Sequence, residues 1–236
     1  MGILPKGGAD QDGFARAVAA LTAAVGGSDD LCGPFLAAVP VSGAVISTLG
    51  NPLGTQTVCA TSELAARVDE IQIDFGEGPC WDARRTGRLV SIPDLASEVG
   101  GEWPNIRTEL RELGIGSIHA FPLAVGPLTV GSVDIYSMVA STLHPLEVAN
   151  VTSLSAIAAR QVLRRAQEDA ESSDEQMPGG PYSRREVHQA SGMVAAQLNI
   201  TVDDALVVLR GHAFAEGTSV RDVAEEVVGR RLDFGV

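Results

Sequence analysis

The stretch from Glu171 to Tyr182 constrains this chain more than any other feature. Asp174-Glu175-Gln176-Met177-Pro178-Gly179-Gly180-Pro181 offers almost nothing to bury and carries two prolines, so it reads as a linker. A chain of 236 residues broken there is expected to fold as a long front unit and a short rear one. The expected division is 13–170, a linker at 171–182, and 183–236. No internal repeat is present.

The front unit alternates between two textures. Phe14, Ala17, Val18, Leu21 and Val25 recur at helical spacing before Gly26-Gly27, and Pro34 suits the first turn of a short second helix. Ala44–Leu49 and Gln56–Thr61 are strand-like runs joined by a Gly50-to-Gly54 hairpin connection. Ser62 can cap a helix with Leu64, Val68 and Ile71 on one face. Gly76-Glu77-Gly78-Pro79-Cys80-Trp81 is a turn into a short helix, with Pro79 at the first helical position. Leu89–Ile92 is a strand and Trp103–Leu113 a helix. The strands Ser117–Val125 and Leu128–Met138 flank Gly126-Pro127. Pro145 opens a helix that runs to about Ala170.

The rear unit reads as helical throughout. Ser183-x-x-Glu186 has the form of a capping box, and Val187, Ala190, Val194 and Leu198 follow as an apolar stripe. Thr201-x-x-Asp204 starts a second helix carrying Ala205, Val208, Leu209 and Ala213. Thr218 or Ser219 caps a third with Val220, Val223, Ala224 and Val227. Three helices with short turns make a small bundle, so the fold class is α+β in front and all-α behind.

Charge narrows the functional classes. The chain carries 17 basic and 30 acidic residues, a formal −13, which argues against a surface that embraces nucleic acid or anionic lipid as a whole. Residues 181–236 hold six arginines against eight acids, whereas residues 1–180 hold 11 basic and 22 acidic residues. Only Lys6 is lysine, which fits a G+C-rich coding sequence rich in Ala, Gly and Val. The first twelve residues lack an apolar core of signal-peptide length, and no apolar run approaches the ~18 residues of a transmembrane helix. Cys32, Cys59 and Cys80 are odd in number, widely spaced and without a C-x-x-C pair. That pattern argues against a disulfide framework and against a zinc site. A cytoplasmic protein is expected.

Candidate chemistry is sparse, and no enzyme is expected. None of the four histidines lies in a catalytic signature. Cys80 opens a helix, where a thiol can be made reactive, although a small buried residue behind a turn is the plainer reading. His119 shares a sheet face with Phe121 and Leu123, so these residues could line a ligand pocket or simply pack. Gly76-x-Gly78 is no phosphate loop, lacking both the third glycine of the dinucleotide pattern and a Gly-Lys-Ser/Thr. In the rear unit Arg184, Arg185 and His188 fall on one side of the first helix. Arg210, Arg221, Arg230 and Arg231 follow, a pattern open to nucleic-acid contact or to a solvated face.

The hairpin, the Ser62–Asp74 helix, the Gly-Glu-Gly-Pro-Cys turn, Gly116-Ser117 with Phe121-Pro122-Leu123, Gly131-Ser132-Val133-Asp134-Ile135-Tyr136 and the closing helix together resemble a GAF domain, a sensory fold. The resemblance implies a central antiparallel sheet with the terminal helices on one side and any ligand pocket on the other. His119, Phe121 and Cys80 are then the candidate ligand-binding residues, the ligand or cofactor itself being unspecified. Some proteins of this fold are thiol enzymes that reduce free methionine sulfoxide, an alternative that needs cysteines converging on one pocket.

Gln189-Ala190-Ser191-Gly192-Met193, Asp204-Ala205, Leu209, Ala213 and the Val220–Val228 run resemble an ANTAR domain, a three-helix RNA-binding unit of transcription antiterminators. Ser191 stands where that family usually has lysine, and Thr218-Ser219 where basic residues often precede the third helix. The resemblance implies a signal-responsive transcription antitermination regulator that binds RNA leader hairpins as a homodimer. Arg184, Arg185, His188 and Arg221 are its candidate RNA contacts. A signal-transduction module whose bundle contacts another protein is the alternative.

Overall fold

The computed structural model describes residues 7–24, 29–97, 102–171 and 184–235, with the side chains of 7–10 left aside. The chain divides into two compact units, Met1–Glu175 and Gln176–Val236. From 172 onward the expected linker lies outside the described residues, as do Val25 and Ser183.

The front unit is built on a five-stranded antiparallel sheet. Its strands are β1 (Gly43–Thr48), β2 (Gln56–Ala60), β3 (Val90–Ile92), β4 (Ser117–Val125) and β5 (Leu128–Ser137), in the order β2-β1-β5-β4-β3. The hairpin expected from the two short runs forms, pairing Val45 with Ala60 and Ile46 with Cys59, with a register shift after Ile46. Across the sheet centre Phe121 faces Val133, and Val133 faces Ile46, so residues of one parity from three strands share a face.

That face is covered by α1 (Gly7–Ala23), α2 (Gly33–Ala38) and α6 (Pro145–Glu171). Their buried Ala17, Leu21, Phe35, Leu154, Ala158 and Val162 pack with Ala44, Ile46, Phe121, Leu123, Val133 and Ile135. The opposite face lies under α3 (Glu63–Phe75), α4 (Pro79–Thr86) and α5 (Pro104–Glu112). Val68, Ile71, Ile106 and Leu110 close over Val45, Ile118 and Tyr136 there. Ser62 caps α3 by accepting a hydrogen bond from the Ala65 amide at 3.1 Å, and Pro79 sits in the first turn of α4. The terminal helices thus occupy one side of the sheet and the short helices the other.

One expectation is overturned. Cys32, at the start of α2, is joined to Cys59 of β2 by a disulfide, with Cα atoms 6.0 Å apart. Motif spacing was uninformative because tertiary folding, across a separation of 27 residues, brings this pair together.

The rear unit is a three-helix bundle of α7 (Arg185–Leu198), α8 (Val202–Glu216) and α9 (Val220–Val228). Val187, Ala190, Val194, Ala205, Leu209, Ala213, Val223, Ala224 and Val227 form its buried centre. Leu198, assigned to that stripe by periodicity, is instead 36% exposed in the last turn. Thr201 caps α8 through the Asp204 amide, and Ser219 forms a reciprocal capping box with Asp222 on α9. No described single helix is long and apolar enough to cross a membrane.

Candidate functional site

Between the sheet and α3/α4 the front unit buries polar groups rather than oil. Asp69 and Gln72 of α3 and Ser132 and Asp134 of β5 are at most 1% exposed. Gln72 joins three elements. Its Nε2 donates to Asp134 Oδ2 at 2.6 Å, and its Oε1 accepts from the Cys80 amide at 3.0 Å. The Trp81 indole donates to the Gln72 carbonyl at 2.8 Å. Ser132 Oγ donates to the other Asp134 oxygen at 2.7 Å, and Thr57 Oγ1 of β2 donates to Asp69 Oδ2 at 2.6 Å.

The Gly-Glu-Gly-Pro-Cys turn is shaped for this docking. Gly76 ends α3 in the left-handed region, and Gly78 takes φ +123° beside the glutamine. A Cβ at position 78 would sit 2.9 Å from Gln72 Oε1, so the backbone can approach only as glycine.

Burial, and then the nearby Asp69 charge, push the Asp134 carboxyl up to about 7, although Ser132 and Gln72 both donate to it. A buried proton-exchanging group is therefore held at the centre of the α3–β5–α4 junction. Nothing in the strand's apolar alternation singled out this residue.

The three candidate ligand residues are not brought together. Cys80, in the first turn of α4, is fully buried, and burial, with Asp134 and Asp69 close by, raises its thiol well above the usual range. Desolvation and acidic neighbours thus work against the helix start, which on its own would lower the thiol. His119 and Phe121 lie on the other sheet face, under the terminal helices. The His119 Nδ1 is 2.7 Å from Ser91 Oγ, and burial lowers its pKa although the Ser141 backbone and the Glu147 charge act the other way. Cys80 does not join the other two cysteines: their disulfide belongs to the terminal-helix layer and Cys80 to a small cluster with Leu49 and Ile73.

An open groove of about 820 Å³ runs outside α4, lined by Glu77, Trp81, Asp82, Arg84, Arg85 and Trp103 among others. Cys80, His119 and Phe121 take no part in it.

In the rear unit the four candidate RNA contacts differ sharply. Arg185 and His188 are exposed and Arg221 is half-buried, but Arg184, the residue before α7, is only 6% exposed. Arg184 thus offers little surface to a phosphate in this arrangement. Partial burial and then the Arg184 charge lower the His188 pKa, so that ring carries little positive charge at neutral pH.

Both departures from the family pattern have structural explanations. Ser191 is 2% exposed and donates to the Val187 carbonyl at 2.8 Å, so its side chain turns back into the bundle. Thr218 and Ser219 both donate to Asp222 Oδ2, and Ser219 also caps α9. α8 leaves Val207 and Phe214 exposed at 62% and 67%, a turn pattern that places them on one side.

Residues 181–228 match the ANTAR domain family. The front of the chain is similar in fold to solved GAF domains. The GAF domain of a phosphoenolpyruvate-protein phosphotransferase from Coxiella burnetii aligns with a TM-score of 0.51 at 12% identity, covering 70% of this chain and 99% of that one. The chromophore-binding domain of a bacteriophytochrome from R. palustris aligns with a TM-score of 0.51 at 10% identity, covering 68% of this chain and 62% of that one. At such identities the likeness is one of fold. No curated protein matches the chain in sequence.

Proposed function

We propose that this chain, a GAF-fold unit followed by an ANTAR domain, is a signal-responsive transcription antitermination regulator whose rear bundle binds RNA hairpins. The match of residues 181–228 to the ANTAR domain carries this reading. RNA loops expose bases to side chains, whereas A-form stems are read through backbone and shape. A single three-helix bundle offers few contacts, so two bundles in a homodimer on one RNA gain through effective concentration. The front unit supplies the sensory part. A change there alters how α1 and α6 pair, and α6 is the element from which the chain leaves toward the bundle.

Crosslinking the protein to RNA in cells, followed by sequencing, tests the reading and names the target. Enrichment of leader transcripts with paired hairpins supports it. Absence of retained RNA in both cells and low-salt gel shifts overturns it. A second reading, in which the bundle contacts another protein, is favoured by the exposed Val207 and Phe214 on α8. Phe214→Ser distinguishes the two: it abolishes cellular output without changing RNA retention only if a protein contact is the bundle's task.

A further inference from the structure

The two bonded cysteines join parts of the front unit that nothing else ties covalently. Cys59 lies on β2, an edge strand that pairs only with β1, and the ladder shifts register beside it. Cys32 is fully buried at the start of α2, while Cys59 is half-buried. The third cysteine is sequestered in another cluster. The surrounding layer already buries Leu21, Leu31, Phe35, Ile46, Phe121 and Leu154, a core of a size that does not need a covalent staple.

The same corner is gripped by α6. Gln161 Nε2 donates to the Leu21 carbonyl at 2.8 Å, and Arg164 donates to the Ala24 carbonyl at 2.6 Å. Arg165 donates to the Asp29 carbonyl at 2.9 Å, three residues before Cys32. Asp30 Oδ1 in turn accepts the amides of Cys32 and Gly33. A continuous path of bonds therefore runs from the sheet edge through Cys59, Cys32 and Asp29 to the last turns of α6.

We infer that Cys32 and Cys59 are a reversible thiol–disulfide site, oxidised by hydroperoxides, that controls how firmly the sheet edge and the α1–α2 layer are fastened to α6. The half-buried Cys59 meets the oxidant first. Its sulfur attacks one peroxide oxygen and breaks the O–O bond, giving a sulfenic acid and releasing water from hydrogen peroxide or the alcohol from an organic hydroperoxide. The Cys32 sulfur then attacks the Cys59 sulfur, and hydroxide leaves with the Cys32 proton as water. Two thiols supply two electrons, one peroxide accepts them, and a dithiol reductant reverses the change by exchange. The chemistry stands by itself; its role as the signal rests on the regulator reading above.

The full chain, reduced with a dithiol and then exposed to hydrogen peroxide, is trapped with N-ethylmaleimide and mapped by peptide mass without reduction. The expected product is a Cys32–Cys59 linked pair two hydrogen masses lighter than the thiols, lost again on adding dithiol. Amide exchange over β2, residues 29–38 and the last turns of α6 is expected to slow by about tenfold on oxidation. Cys59→Ser removes that response and Cys80→Ser keeps it. If Cys59→Ser does not fold, the trapped thiol count of the unaltered chain carries the test. Persistent thiols at 32 and 59, linkage to Cys80, a bond that dithiol leaves intact, or unchanged exchange overturns the inference. RNA retention identical in both redox states overturns the link to output. Absence of RNA binding in either state sinks the regulator reading and leaves the thiol chemistry standing.

Discussion

Gln72 Nε2 donates to Asp134 Oδ2 across 2.6 Å, linking α3 to β5 beneath the turn that starts α4. Because Asp134 is buried and raised to about 7, the native state holds a proton that the unfolded chain releases near pH 4. Between those values the native state binds more protons, so stability falls as pH rises and levels off above pH 7. The penalty is on the order of 3–4 kcal/mol. Asp134→Asn keeps an acceptor for Gln72, and its amide can donate to the Ser132 hydroxyl. Denaturant unfolding from pH 4.5 to 8 should show a falling curve for the natural protein and a flatter one for Asp134→Asn. Parallel curves would show that the carboxyl does not titrate there.

His119 works with the opposite sign. Burial lowers its pKa, so the unfolded chain takes up a proton first as the solution is acidified. Its contribution is fully present above the ordinary histidine range and is lost as pH falls through that range. His119→Leu removes this acid-side loss along with a buried polar ring, while the exposed Ser91 hydroxyl turns to water. We expect stability at pH 7.5 to be unchanged or raised by about 1 kcal/mol. The fall between pH 6.5 and 5 should shrink, as thermal melts would report.

These two residues show what could be read from the chain and what could not. The period-2 runs Ser117–Val125 and Leu128–Ser137 and the caps Ser62 and Thr201 are local signals, and the strands and helices follow them. The same alternation placed His119 correctly beside Phe121, but parity alone does not say which helices cover a face. Ser132 and Asp134 alternate against Val133 and Ile135 and therefore look solvent-facing. Only the sheet order and the return of α3 and α4 make that face interior. The Cys32–Cys59 pair is hidden for the same reason, since α2 and an edge strand meet only through tertiary folding.

Ser191 gives a third prediction. The residue is buried with its hydroxyl returned to Val187, so restoring the family lysine does not simply restore a phosphate contact. Ser191→Lys adds volume and charge where neither is accommodated, at a cost on the order of 2–4 kcal/mol to the bundle. Thermal melts of the natural and altered chains should show the loss in the rear unit. An Ser191→Lys protein as stable as the natural one, with tighter RNA binding, would place position 191 on the RNA surface.

The RNA face proposed for the bundle then narrows to Arg185 and Arg221. Arg185 is exposed at the first position of α7 and Arg221 is half-buried in the first turn of α9, whereas Arg184 is buried and His188 is mostly neutral. Each phosphate contact releases counterions, so losing one lowers affinity and makes the salt dependence shallower. Arg185→Ala and Arg221→Ala should each weaken hairpin binding by about tenfold at low salt. The slope of log affinity against log salt should flatten by about 0.7–0.9 per residue removed. Both effects should appear in filter binding across salt concentrations with the bundle still folded by circular dichroism. A double variant that binds RNA like the natural protein would move the interface away from the starts of α7 and α9.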